Sequence, residues 1–227
     1  MENNSLNGQL MEYWMIVKSE YTSLCTSNPT LSDIYDAFTL CAKLTEDYDE
    51  SHNIEHHVNV YKNAIIIYKG IYDCTKEILP LIIYASLLHD TVDSKYPDGL
   101  KNKIEKLDNF LKEKLSDKWT NVKWIIDNIS YSKEAKFGYP LHTDPIVQLA
   151  RDIVSDADKL EAIGEIGLLR CKQYSIAKNP TASKEEITKI VVQHCYDKLL
   201  KIKDLYIRTS TGKNLAEALH QIIVDYI

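Results

Sequence analysis

Three histidines crowd into Ser51-His52-Asn53-Ile54-Glu55-His56-His57, and a fourth opens the pair His89-Asp90 at the end of a long apolar run. A carboxylate in that position leaves water and needs a hydrogen bond, a counter-charge or a cation to compensate it. Taken alone, the pair also fits an aspartate that orients a structural histidine at a helix end. A third element adds weight. Asp156-Ala157-Asp158 sets two carboxylates two residues apart inside an apolar helical stripe, and like charges that close repel unless one meets solvent and the other a cation. His56, the His89-Asp90 pair and one later aspartate, Asp156 or Asp158, would supply two imidazoles and two carboxylates. Such a mixed nitrogen and oxygen set suits one divalent ion, Mn, Co, Ni, Fe, Zn or Mg, with positions left open for water and substrate.

The elements that must carry these side chains read as helices. Gly and Pro are scarce, at 7 and 6, which favours long helices over the turn-rich spacing of a sandwich or barrel. Helical periodicity runs from about Leu31 to Tyr48 and from about Ile54 to Tyr72, where His56, Val60, Ala64 and Ile67 share a face. The block Ile78 to Asp90 is apolar nearly all round and is expected as the buried central helix. Further helices are expected over about Lys101 to Leu115 and Trp119 to Ser130. The stretch Tyr131 to Pro145, with Gly138, Pro140 and Pro145, reads as a long surface loop. One continuous stripe then extends from Pro145 to about Ile176 through Ala150, Ile153, Ala157, Leu160, Gly164 and Leu168. Ser183 with Glu186 makes a capping box for the next helix, which runs to Leu205, and Thr211-Gly212 breaks the pattern before a last helix. No β-alternation stands out. The expected fold is a single all-α domain over residues 1–227.

Charge and cysteine usage narrow the functional class. A net charge of −6 with only three arginines, Arg151, Arg170 and Arg208, argues against a nucleic-acid polymer as partner, because phosphate neutralisation needs a cationic excess. The five cysteines are dispersed with no CxxC pair, which excludes a zinc ribbon or thioredoxin-type motif and fits reduced core thiols. The beginning of the chain lacks a signal-peptide pattern, and its longest apolar run, Ile78 to Leu88, is far short of the roughly 20 residues of a membrane span. The expectation is a soluble, cytoplasmic protein without a membrane partner.

The ligand pattern, H…HD…D on His56, His89-Asp90 and a later Asp, resembles that of the HD-domain metal-dependent phosphohydrolases, an all-helical superfamily. Longer strings resemble its bacterial branch that includes a nucleotide pyrophosphohydrolase. They are Ser-His-Asn-Ile-Glu-His at 51–56, Ala-Ser-Leu-Leu-His-Asp-Thr-Val-Asp-Ser-Lys-Tyr at 85–96, Ile-Ile-Asp-Asn-Ile-Ser-Tyr-Ser at 125–132, Val-Ser-Asp-Ala-Asp-Lys-Leu-Glu-Ala-Ile-Gly-Glu-Ile-Gly at 154–167 and His-Cys-Tyr-Asp-Lys-Leu-Leu-Lys-Ile-Lys-Asp-Leu at 194–205. The resemblance covers about 45–225, leaving 1–44 as an N-terminal helical extension packed on the domain.

The resemblance implies roles. His56, His89 and Asp90 would ligate the metal, and the superfamily's Ala-Asp-x-Leu string falls on Ala157-Asp158-Lys159-Leu160, which favours Asp158 as fourth ligand over Asp156. Asp93 stands where related enzymes keep an acidic residue near the attacking water and is the candidate base. Lys95, Lys159, Lys198 and Lys201 are candidates to neutralise phosphate charge, Lys198 and Lys201 being three apart on one helix face. His52, four residues before His56, would lie on the same face if that segment is helical and is the candidate phosphate-facing or orienting group. His57 points about a hundred degrees away and is left out. His142, His194 and His220 receive no role. One departure stands out. Many relatives carry an arginine three residues after the first ligand histidine, where this chain has Asn59, so an arginine fork is missing there.

The expected activity is metal-dependent hydrolysis of a nucleotide-like phosphate ester or anhydride, leaning to cleavage of a nucleoside triphosphate into monophosphate and pyrophosphate. Alternatives are a 5′-nucleotidase, a non-catalytic nucleotide-sensing module, and an oxygen-activating di-iron site for which His57, Asp156 and Glu161 are the nearby spare ligands. A homodimer is compatible with the apolar helical surface.

Overall fold

The computed structural model describes residues 3–49, 52–71, 75–93 and 96–227, with side chains described from residue 8 onward. Among the described residues all regular structure is helical. In chain order the α-helices are α1 (Asn3–Thr22), α2 (Leu31–Leu44), α3 (Ile54–Lys69), α4 (Leu79–Leu88), α5 (Leu100–Leu115), α6 (Trp119–Asp127), α7 (Tyr131–Phe137), α8 (Pro145–Glu161), α9 (Gly164–Lys178), α10 (Lys184–His194) and α11 (Ser210–Tyr226). The all-α expectation holds.

α4 is the axis of the molecule. All ten of its residues are buried, and α2, α3, α6 and α8 pack around it. A helix apolar on every face has no solvent side to offer, so it must be enclosed. α3 and α8 also pack on each other, so α3, α4 and α8 form a triangular core whose ends bring distant segments together. α1 lies on α3 and α2, with Val17 and Tyr21 in the common core.

Helix starts follow local chemistry. Asn53 caps α3, its side-chain oxygen accepting from the backbone N–H of Glu55 and of His56. Asp144 caps α8 ahead of Pro145, whose missing N–H costs nothing in a first turn. The capping box of Ser183 and Glu186 is formed, as is one of Thr30 and Asp33.

Three expectations are corrected. Residues 131–145 are not loop throughout, because α7 occupies the first half. Its Glu134 is buried and paired with Arg151 and Lys159 of α8 and with Arg208, so long-range charge pairing anchors a helix that Gly138 and Pro140 mask. The stripe from Pro145 to Ile176 is two helices. The chain turns at Gly164, whose φ of 75° is the left-handed region that glycine enters without strain; in the sequence its neighbours merely continue the apolar period. Thr211-Gly212 does not precede the last helix but lies in its first turn. A Cβ on Gly212 would stand 2.7 Å from Asp156 Oδ2, so glycine lets that carboxylate reach the helix start.

Candidate metal centre and cavity

α3 places His56 in its first turn, held there by the Asn53 cap. α4 ends at Leu88 and hands over His89 and Asp90 at its C-terminal end. The Nδ1 of His89 lies 2.9 Å from the carbonyl of Ser86. A carbonyl only accepts, so Nδ1 carries the proton and Nε2 presents its lone pair, the usual orientation of a metal-ligating imidazole. That Nε2 is 3.0 Å from Nε2 of His56. Asp90 Oδ2 lies 4.0 Å from His56 Nε2 and 3.8 Å from His89 Nε2. Asp158 Oδ1, from α8, lies 3.5 Å and 3.8 Å from the same two nitrogens.

This donor set fits a divalent ion. Ligand distances of about 2.0–2.2 Å put neighbouring donors about 3 Å apart at right angles and about 3.4 Å apart in a tetrahedron, and the separations above lie on that scale. His56, His89 and Asp90 form a cluster able to hold a metal. The electrostatics point the same way. Burial, reinforced by His89 and His57, holds the His56 pKa well below its ordinary value, so the ring stays neutral and its lone pair available. Burial raises the Asp158 pKa, with His89 opposing and Asp90 adding to the rise. A cation between the two carboxylates would relieve both effects.

The two aspartates of 156–158 divide cleanly. Residues two apart on a helix point about 200° apart. Asp158 faces the histidines, and Asp156 faces the start of α11. There it accepts from the backbone N–H of Arg208 at 2.8 Å, from that of Thr209 at 2.7 Å and from the Thr209 hydroxyl at 2.7 Å. Burial lifts its pKa to about 6 against these bonds.

The four side chains wall one end of a cavity of about 870 Å³, the size of a pocket for a drug-sized or nucleotide-sized molecule. His52 and Asp93 border it, with His52 Nε2 3.9 Å from Asp93 Oδ2 and its Nδ1 3.5 Å from Asp49 Oδ1. His52 precedes the Asn53 cap, so it stands in the loop before α3 rather than on the helix, and still reaches the cavity. Lys198 borders it with its ammonium 4.8 Å from the centre of the Tyr131 ring. Lys159 also reaches the wall, but it is buried and its ammonium bonds the Ile129 carbonyl, Glu134 and the Ser155 hydroxyl. Those three acceptors match its three protons, so it acts here as a tie between α8 and α7. Lys201 is exposed and not among the residues that wall the cavity. Lys198 itself lies in a π-helical turn, Cys195–Leu199, whose wider pitch changes the angle between the two lysines from that of an α-helix. Lys95 lies outside the described residues. His57 is fully buried, its ring packed 4.7 Å from that of His89. Asp156 and Glu161, the other spare ligands, are engaged with α11 and with Asn59 and Arg170.

No protein-family model matches the chain. The uncharacterized protein YpgQ of Bacillus subtilis is 29% identical over 149 residues, which span 63% of this chain and 67% of YpgQ. Among solved structures, an HD-superfamily hydrolase of Bacillus thuringiensis matches with a TM-score of 0.62 at 27% identity, over 86% of this chain and 93% of that one. The chain has the HD-superfamily fold. The Lin1889 protein of Listeria innocua is similar as well, with a TM-score of 0.59 at 29% identity over 86% of this chain and 91% of its own. So is YpgQ in complex with ADP, with a TM-score of 0.59 at 24% identity over 84% and 93%.

On this HD-superfamily scaffold the cavity gains residues that sequence reading missed. Lys133, Arg170 and Lys178 add positive charge, and Tyr131 and Tyr174 add aromatic faces. Tyr131 sits within one of the strings that carry the resemblance, which was a usable signal. Arg170 was visible only as one of three arginines.

Proposed function

We propose that this protein is a metal-dependent phosphohydrolase acting on a nucleotide-like phosphate ester or anhydride, with hydrolysis of a nucleoside triphosphate to monophosphate and pyrophosphate as the preferred reaction. The observation that carries the reading is the convergence of His56, His89, Asp90 and Asp158 on one end of a cavity whose other walls bear Lys133, Arg170, Lys178 and Lys198. The HD-superfamily hydrolase of Bacillus thuringiensis and the ADP complex of YpgQ support it by similarity.

Two imidazoles and two carboxylates would hold one divalent ion, which when bound supplies Lewis acidity towards a phosphoryl oxygen and acidifies water. Asp93 takes the proton of the attacking water as the new P–O bond forms and the bond to the leaving phosphate oxygen breaks. His52, between Asp49 and Asp93, orients Asp93. Lys198 offsets phosphate charge from the cavity wall, while Tyr131 and Tyr174 offer faces to a base.

The test is a panel of nucleoside mono-, di- and triphosphates with Mn, Co, Ni, Zn or Mg, phosphate and pyrophosphate being measured separately. Release of pyrophosphate from triphosphates is expected. Phosphate released from monophosphates would instead mark a 5′-nucleotidase, and no hydrolysis of any phosphate compound by metal-loaded protein would refute the enzyme reading.

A further inference from the structure

Among the described residues, Arg170 is a cavity-lining arginine whose contacts take up only part of its donor fork. Arg151 and Arg208 are committed to Glu134, Lys159 has its three protons matched, and Lys133 donates to the Asp127 carbonyl. Arg170, on α9, borders the cavity with 25% of its side chain exposed. Of its five N–H donors, Nη1 donates to the Glu161 carbonyl at 3.3 Å. Nη2 stands 3.7 Å from Glu161 Oε2, a looser approach. That same Oε2 already accepts from Asn59 at 3.3 Å.

The placement is deliberate in the chain path. Glu161 is the last residue of α8, three residues beyond Asp158, and the turn at Gly164 brings α9 back so that Arg170 rests against the end of α8. One edge of the guanidinium is therefore fixed within a helical turn of the aspartate that faces the histidines. Asn59, on α3, is neutral and turned to Glu161, and α9 supplies a guanidinium beside the same carboxylate.

We infer that Arg170 is the anion clamp of this cavity, its free donors binding the phosphoryl groups of a linked di- or triphosphate that lie beyond the phosphate held at His56, His89, Asp90 and Asp158. A monophosphate is short enough to be satisfied at the four-residue cluster alone. A longer anion reaches Arg170, so this residue sets a preference for polyphosphate substrates. The inference rests on the phosphohydrolase reading for its substrate class, but its test does not need turnover.

Binding of inorganic tripolyphosphate and of inorganic phosphate to the metal-loaded protein is measured by calorimetry for wild type, Arg170→Gln and Arg170→Lys. Losing charge-assisted hydrogen bonds weakens tripolyphosphate by about 10- to 100-fold in Arg170→Gln, with phosphate changed less than about threefold. Arg170→Lys, which keeps charge and loses the fork, is intermediate. Metal content stays at the wild-type value, and Tm falls in Arg170→Gln because buried Glu161 loses its cation. Equal loss for both anions would make Arg170 only a brace between α8 and α9, and that result overturns the clamp. Unchanged tripolyphosphate affinity in either variant overturns it too, so Arg170→Lys decides alone if Arg170→Gln fails to fold. Wild type that binds tripolyphosphate through Arg170 but hydrolyses no phosphate compound would leave the clamp standing and remove the enzyme reading.

Discussion

Asp156→Asn and Asp158→Asn are near-identical changes two residues apart on one helix, and the geometry assigns them opposite consequences. With Mn held at one hundred times its Kd, a ligand that binds only the folded state adds about 2.7 kcal/mol. For a chain of this length each kcal/mol moves Tm by about 2–4 °C, so wild type should gain about 5–11 °C. Asp158→Asn removes one of the four proposed donors. If that weakens the metal about a hundredfold, the same Mn concentration sits near the new Kd and adds only about 0.4 kcal/mol, or about 1–2 °C. Its metal-free Tm should not fall, because the lost group is a carboxylate whose burial already disfavours its charge. Asp156→Asn should keep the full metal-induced gain. The amide oxygen can still serve the two Thr209 donors, and the bond to the Arg208 N–H is lost, at about 1–3 kcal/mol. Relief of a charge whose pKa is pushed up to about 6 offsets part of that loss, so the metal-free Tm moves by a few degrees at most. Thermal melts with and without Mn, with metal content per chain, read all of this without an activity assay. A metal-induced shift that survives in Asp158→Asn and vanishes in Asp156→Asn would refute the assignment.

Asp93→Asn should lower kcat by about 10²- to 10⁴-fold while metal content and Tm remain those of wild type; a kcat within threefold removes Asp93 as the base. Glu134→Gln tests the charged tie behind the site. Burial would raise the Glu134 pKa, yet Lys159, Arg208 and Arg151 hold it down at about 2 from an ordinary 4.5. The group's contribution is therefore present above about pH 4.5 and lost as pH falls towards 2. At pH 7 the variant leaves Lys159 buried without its counter-charge and Arg151 with Asp152 alone, a loss of about 3–5 kcal/mol and about 6–20 °C in Tm. The gap to wild type should narrow as melts are taken from pH 5 down to pH 2.5. A Tm within 3 °C of wild type at pH 7, or a gap constant with pH, would count against the network.

How much of this was legible in the sequence depended on whether the deciding partner was near in the chain. α4 was readable because an all-apolar run has one solution, enclosure, and His89-Asp90 inherited its importance from that run. Ser183 and Glu186 were readable because a capping box is closed within four residues. Asp156 and Asp158 were not separable by spacing, since both fall in the same stripe. What separates them is Thr209, 53 residues on, and the glycine at 212 that admits the carboxylate. α7 was hidden for a similar reason, because its helix is secured by Arg151, Lys159 and Arg208, which no local window contains. Lys201 was misplaced by a π turn, which side-chain pattern does not announce.

The same long-range pairing says how the centre comes to exist. Within eleven residues α8 buries Arg151, Asp156, Lys159 and Glu161 and presents Asp158 to the histidines. Their partners are spread over other elements: Glu134 on α7 for Arg151 and Lys159, Thr209 before α11 for Asp156, His56 on α3 and His89 at the end of α4 for Asp158, and Asn59 on α3 and Arg170 on α9 for Glu161. A helix carrying that many buried charges is stable at the centre of the molecule only when all of these surfaces are in place, since an unpaired buried charge costs several kcal/mol. The donor set for the ion is thus assembled by the fold as a whole and not by a local loop. Binding of a metal at this centre would be linked to global stability through α8, so variants far from the cavity that loosen α7 or α11 should weaken apparent metal affinity once they leave a sizeable fraction of the chain unfolded.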